Sequence, residues 1–376
     1  MKLVFEDLTE RQVKKRETVS FFVEVSSVYL IEISARAKGE KQLGGSDDED
    51  LKVEIDRQSF PILSGQSRYF DSPAAFSGGK LHGLSKSVFF FVPLTDGLHE
   101  IVLTADISAT LERIQVYQID VREEPFFSSI TAEDGDRRPW LTFVFLGVHS
   151  KAFSLSVNLQ KRFLDSDDVK VVVDGSTKRN YRSILRKFWY FVASAKGGEQ
   201  SANFDTNFVS GLHYVELWAD RMPTLNKIIF WGLSSAHIEP KDATEIIKDK
   251  IRFKARKYVF DEEMMLRLAK KESQFNPKAV SPAEAKGIFQ LTPITLEQIR
   301  NLEYQINDVF DVDQNIEGAM IYFRWLRGLY HDGPELLEKT LIAWNWGQKY
   351  ISRTEPLNWL EIPDSVKAFV KEVLGK

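Results

Sequence analysis

The sequence predicts a multidomain chain, all-β and then all-α: two tandem antiparallel β-sandwich modules over residues 1–122 and 123–238, followed by a helical domain over 239–376. Three observations carry this. From about residue 18 to 232, short Val/Ile/Phe/Tyr-rich runs alternate with Gly, Asp, Ser and Pro clusters, as strands joined by turns do. A stretch of that text occurs twice. After Gly232 the apolar residues take up helical spacing amid mixed charge, as in KDATEIIKDKIRFKARKYVFDEE.

The strand-like runs include TVSFFVEV, YLIEISARA, LKVEID and SVFFFV. The segment Gly97-Leu98-His99-Glu100-Ile101-Val102-Leu103-Thr104-Ala105-Asp106 returns as Gly211-Leu212-His213-Tyr214-Val215-Glu216-Leu217-Trp218-Ala219-Asp220. Thr110-Leu111 matches Thr224-Leu225, and the run from Asp50 to Asp56 matches that from Asp168 to Asp174, so two copies of one module are predicted rather than a solenoid. The charged, Pro/Gly-punctuated stretch from Arg122 to Trp140 reads as their connection.

At 376 residues and 43.2 kDa, two or three domains of roughly 100–200 residues each are expected. Fifty basic against 54 acidic residues give a net charge of -4, without the basic excess that phosphate neutralisation requires, so nucleic acid is not the expected partner. The absence of cysteine excludes disulfides, a thiolate nucleophile and thiolate metal sites. The opening MKLVFEDLTERQVKKRE has no apolar core of signal-peptide length, and no apolar run approaches the ~20 residues of a membrane span. A soluble chain is expected, any export signal having been removed.

In the helical region, Asp261 is a natural N-cap with Glu262 and Glu263 in the first turn. Met265, Leu268, Ala269 and Glu272 follow at i, i+3, i+4 and i+7, which puts one carboxyl group on the apolar face before Asn276-Pro277 stops the helix. Burial penalises the charged form and raises a carboxyl pKa, which suits a general acid. Spacing alone favours a plainer reading, an exposed or lysine-paired acid at a fraying helix end.

The surrounding text points to chemistry. Glu272-Ser273 is followed by Ser281, by Gly287-Ile288-Phe289-Gln290, by Asp311…Asn315-Ile316 and by Ala343-Trp344-Asn345. In that order, over about residues 255 to 376, the set resembles the soluble lytic transglycosylase domain. The resemblance implies a lysozyme-like helical fold acting on peptidoglycan strands, with Glu272 as sole catalytic carboxyl. Glu272 would protonate the glycosidic oxygen between N-acetylmuramic acid and N-acetylglucosamine, then accept the proton of the muramoyl 6-hydroxyl as a 1,6-anhydro ring closes. Ser281 and Gln290 match positions that line the sugar site, Trp344 and Asn345 fall in the family's Ala-Tyr-Asn motif, and Tyr322 matches a family tyrosine that either borders the groove or packs in the core; all five are candidate substrate-binding residues, and no cofactor or metal is implied. Action on this substrate implies an extracytoplasmic location.

Two departures stand out. Trp344 replaces a tyrosine whose hydroxyl touches the acid in the family, and an indole N–H donates but does not accept. Glu284 replaces a usual glycine and adds a carboxylate where goose-type lysozymes carry acids, so hydrolysis is an alternative outcome. A wall-binding protein without catalysis is a third. The stripes Ile316, Ala319, Met320, Phe323, Leu326, Tyr330 and Val366, Phe369, Val370, Val373 are expected to be core.

The repeated Gly-Leu-His segment is similar to the final strands of galactose-binding-like jelly rolls in carbohydrate-binding modules, which implies β modules that hold the helical domain on a glycan, the plainer alternative being spacers or protein-interaction modules. The acidic clusters Asp47-Asp48-Glu49-Asp50 and Asp165-Ser166-Asp167-Asp168 lack calcium-loop spacing and read as solvated turns. His82, His99, His149, His213, His237 and His331 form no zinc motif, and the matching places of His99 and His213 in the repeat point to a structural role. No phosphate-binding glycine loop occurs.

Overall fold

The computed structural model describes residues 1–376 except 64–68, 121–125, 163–164, 181–187, 194–195, 210, 236–237, 239–240 and 332–334. The expected boundary at 122/123, together with His237, Glu239 and Pro240, lies outside the described residues. Two compact units are present, Met1–Pro240 and Lys241–Lys376.

The first unit is built of strands. Its first half contains β1 (Lys2–Asp7), β2 (Arg11–Val13), β3 (Arg16–Val23), β4 (Ser27–Arg36), β5 (Asp50–Ile55), β6 (Gln58–Ser59), β7 (Phe76–Ser77), β8 (Ser85–Leu94), β9 (Gly97–Ala105) and β10 (Ala109–Gln118), with short helices α1 (Glu40–Leu43) and α2 (Gly78–Leu81). The second half contains β11 (Phe126–Thr131), β12 (Arg138–Leu146), β13 (Val148–Leu159), β14 (Asp168–Val173), β15 (Ser176–Thr177), β16 (Phe191–Val192), β17 (Gly198–Phe208), β18 (Leu212–Asp220), β19 (Thr224–Trp231) and β20 (Ser234–Ser235).

The halves repeat one topology. The order β1-β10-β4-β8 recurs as β11-β19-β13-β17, and β3-β9-β5-β6 recurs as β12-β18-β14-β15. In the first half, Phe21, Leu51, Val53 and Leu103 of one sheet meet Ile31, Phe90, Ile114 and Val116 of the other in a single core. Among the described residues, strand pairing is antiparallel except at β8–β12, where a parallel ladder fuses one sheet of each half into a continuous sheet of ten strands. The unbroken apolar runs there have a physical cause. Val88 through Val92 and Leu141 through Phe145 are buried on both faces, so neither strand alternates. Phe89 stacks on Phe143 and Phe91 on Phe145, with centroids 4.9 and 4.7 Å apart.

The repeated histidines are structural. His99 Nδ1 lies 2.6 Å from Asp56 Oδ2 and His213 Nδ1 lies 2.8 Å from Asp174 Oδ2, each aspartate at φ near 50° in a tight turn. The acidic clusters differ from the solvated turns expected. Asp167 is fully buried and accepts the backbone N–H of Gln160 at 2.8 Å, while buried Glu49 accepts that of Lys38 at 2.8 Å. They close loops by satisfying orphan amides.

The second unit contains α3 (Ala243–Tyr258), α4 (Glu262–Ser273), α5 (Pro293–Asn301), α6 (Val312–Leu329), α7 (Leu336–Trp346) and α8 (Asp364–Leu374). Asp242, Asp261, Thr292 and Asp311 cap four of these through their side chains. The α6 and α8 stripes are buried with Met265, Leu268 and Ala269 of α4 in one core. Helix α4 ends before Asn276-Pro277, because Gln274 and Phe275 both adopt left-handed backbone at φ 56° and 63°. No described helix is long and apolar enough to cross a membrane.

Candidate active site

Glu272 lies in the last turn of α4, three residues past Ala269, the last core residue of the helix, and is half-buried. Burial pushes its carboxyl up to about 7, opposed by a hydrogen bond from Trp344 and the positive charge of Lys271. The indole Nε1 of Trp344, on α7, donates to Glu272 Oε1 at 2.8 Å. The position where a hydroxyl was to be expected thus supplies a donor through a different ring. Trp344 is itself wedged among Phe289, Tyr322 and Phe323, with centroids 5.5 to 6.3 Å away. That packing fixes the indole and hence the acid.

The next residue, Ser273, donates its hydroxyl to Ile288 O at 2.8 Å and so ties the end of α4 to the loop 279–291. This loop folds on itself through the bridges Val280 with Lys286 and Lys286 with Leu291. Ser281 Oγ accepts from Ala285 N at 3.1 Å, which leaves its proton free to donate. Gln290 Nε2 donates to Gly287 O at 2.9 Å and Ala279 O at 3.3 Å, which leaves its carbonyl free to accept. Ser281 and Gln290 therefore share one rigid loop, joined by Ser273 to the helix that carries Glu272. Glu284 sits on the outer turn of the same loop, exposed, at φ 60°. Tyr322 on α6 stacks against Trp325 and touches Trp344, and its oxygen is bonded to Thr295. Asn345 is exposed in the last turn of α7.

One positioning residue escaped the sequence reading. Asn315, noted there only as part of a helix start, is 1% exposed. Its Oδ1 accepts from Phe289 N at 3.0 Å, and its Nδ2 donates to Val309 O at 2.9 Å and Lys286 O at 3.2 Å. It locks the loop to α6. Gly287 is forced beside it, since φ is +77° and a Cβ would lie 2.2 Å from Asn315 Nδ2. A polar residue adjoining an otherwise apolar stripe was the available signal. Asn315→Leu is expected to cost about 3 kcal/mol, by stranding the buried Phe289 N–H and the half-buried carbonyls of Lys286 and Val309, in urea unfolding of the helical unit. A loss under about 1 kcal/mol would show that the loop holds without it.

Among the described residues, Asp136, Asp165 and Asp220 form a group with oxygens within 4.8 Å of one another. Arginines already occupy it. Arg221 Nε lies 2.8 Å from Asp165, and Arg137 Nε lies 3.3 Å from Asp220.

The helical unit thus combines a shielded glutamate at a helix end, an aromatic side chain that holds it and a polar loop beside it. Residues 249–358 match the family described as the transglycosylase SLT domain, and the helical unit carries that domain. The membrane-bound lytic murein transglycosylase F of Desulfosudis oleivorans is 36% identical over 89 residues, covering 24% of this chain and 18% of that protein. The membrane-bound lytic murein transglycosylase C of Salmonella typhimurium is 33% identical over 91 residues, covering 23% and 25%. The 70 kDa soluble lytic transglycosylase of Escherichia coli aligns in structure at a TM-score of 0.29 and 20% identity, covering 34% of this chain and 22% of that one. The chain spans a quarter or less of the length of these relatives.

Proposed function

We propose that the C-terminal domain read from the sequence, residues 239–376, is a peptidoglycan lytic transglycosylase with Glu272 as general acid and then base. The observation that carries the reading is the shielded Glu272 carboxyl, raised to about 7 and gripped by Trp344. Near neutral pH such a group gives up a proton and takes one back with little cost in either direction. The Glu272 proton passes to the glycosidic oxygen as its bond to the muramoyl anomeric carbon breaks. The 6-hydroxyl oxygen then bonds that carbon while its proton goes to the Glu272 carboxylate. No water is consumed, and Glu272 is restored.

The groups that act on the charge of Glu272 are Trp344 and Lys271, and neither is an acid. A two-carboxylate mechanism needs a second carboxylate placed at the sugar, as nucleophile or as water activator. Ser281 as donor and Gln290 as acceptor suit hydroxyl and acetamido groups, with Tyr322 and Asn345 at the border of the groove. Mass spectrometry of purified sacculi digested with the full chain is the test. Anhydromuramoyl ends, one water lighter than hydrolytic products, are expected. Reducing ends instead would transfer the assignment to hydrolysis with Glu284, and intact sacculi with bound protein would mean a binding function only.

The β unit is read as two jelly-roll-like modules, 1–122 and 123–238, that hold the enzyme on its polymer and raise local substrate concentration without altering the chemical step. The duplicated strand order supports that reading. Action on peptidoglycan places the protein outside the cytoplasmic membrane.

A further inference from the structure

We propose that a crevice in the β unit, between segment 71–77 of the first half and the β12–β18 face of the second, binds a single neutral pyranose ring. The inference rests on reading the β unit as glycan-binding and is independent of the chemistry at Glu272.

The crevice encloses about 210 Å³ and is lined by Ser72, Lys80, Lys86, Pro139, Glu216 and Trp218 among others. Two ionisable side chains are buried there. Lys86 is 2% exposed, and its Nζ donates to Pro73 O and Ala75 O at 2.6 Å each. In its charged form the ammonium keeps a third proton. Glu216 is 9% exposed, and its Oε2 accepts the indole N–H of Trp218 at 3.1 Å. Its other oxygen keeps acceptor capacity. Holding such groups charged out of water costs several kcal/mol each, and burial accordingly brings the Lys86 ammonium down to about 7.

The fold does not demand that cost, because the chain contains its own control. In the repeat, β18 occupies the place of β9, and the counterparts of Glu216 and Trp218 are Val102 and Thr104. The sheet is built equally well without the carboxylate and the indole. They occur only in the copy that faces the crevice.

The ligand class follows from the lining. Lys80 and Lys86 are balanced by Asp71 and Glu216, which disfavours phosphates and free amines alike. Adjacent donors and acceptors beside a half-buried indole match vicinal hydroxyls on an apolar ring face. The volume falls below the ~300 Å³ at which drug-sized pockets begin, so one ring fits.

The test uses the full chain carrying Glu272→Gln, titrated calorimetrically with glucose, N-acetylglucosamine and chitotriose. Saturable binding of at least one is expected, weakened tenfold or more by Trp218→Thr and by Glu216→Val. Each variant installs the residue that the first half already tolerates. Should Glu216→Val unfold because Lys86 loses its counter-charge, Trp218→Thr with an unchanged melting temperature decides alone. Chitotriose binding like N-acetylglucosamine assigns the crevice to a chain end, and monosaccharide binding alone assigns it to free sugar. No saturable binding, or binding indifferent to both substitutions, overturns the proposal. In that case pelleting with sacculi that Trp218→Thr leaves intact preserves glycan binding elsewhere on the chain, and absence of pelleting removes the broader reading as well.

Discussion

Glu272→Gln is expected to abolish release of fragments from sacculi, by ~10³-fold or more, while making the helical unit more stable above neutral pH. The amide has nearly the same shape and can still accept the Trp344 N–H, so the loss is that of the proton and not of packing. The stability change follows from the sign of the shift. The folded-state value of about 7 lies above the ordinary 4.5, so the fold favours the neutral form. That contribution is fully present below pH 4.5 and is lost as pH rises through 7. At ~1.4 kcal/mol per pH unit the interval amounts to about 3 kcal/mol, which glutamine avoids. The melting temperature of the variant should therefore exceed that of the wild type at pH 8 and converge with it near pH 4. The same titration sets the rate profile: wild-type kcat/KM should fall about tenfold per pH unit above 7. Activity in Glu272→Gln, or a profile flat from pH 6 to 9, would remove Glu272 from the reaction.

Much of this was readable from the chain. Duplication was visible in the Gly-Leu-His segments, and their matching histidines do the same work against Asp56 and Asp174. The acid was legible because helical spacing and motif order converge on Glu272. What the text hid was long-range. The parallel junction of β8 with β12 brings together strands that lie some fifty residues apart in the chain, and continuous apolar runs announce two-sided burial without naming the partner. Asn315 looked like helix-start text because its function is to hold Phe289, Lys286 and Val309 from another element. The burial of Asp167 was hidden too, since an acidic run reads as solvated unless one knows which amides need acceptors.

Removal of the indole N–H by Trp344→Phe is the second large effect expected. A neutral carboxyl carries one proton and can place it on either oxygen. An indole only donates, and a carbonyl oxygen accepts better than a carboxyl O–H oxygen, so its bond to Oε1 biases the proton toward Oε2. After the first transfer the same N–H faces a carboxylate, and the bond becomes charge-assisted, worth about 1.5–3 kcal/mol. Phenylalanine keeps most of the contact with Phe289, Tyr322 and Phe323 but supplies neither effect. Loss of a bond that favours the charged form must raise the acid further above 7, so the alkaline limb of kcat/KM moves upward. The rate at the optimum falls, because the carboxylate formed midway is less well held; 1.5–3 kcal/mol corresponds to roughly ten- to a hundredfold in kcat. KM should change little, since the N–H is spent on the acid and not on the sugar. Trp344→Tyr returns a donor and should recover part of the rate. A downward shift of the limb, or a KM effect with kcat intact, would show that the indole serves the substrate instead of the acid.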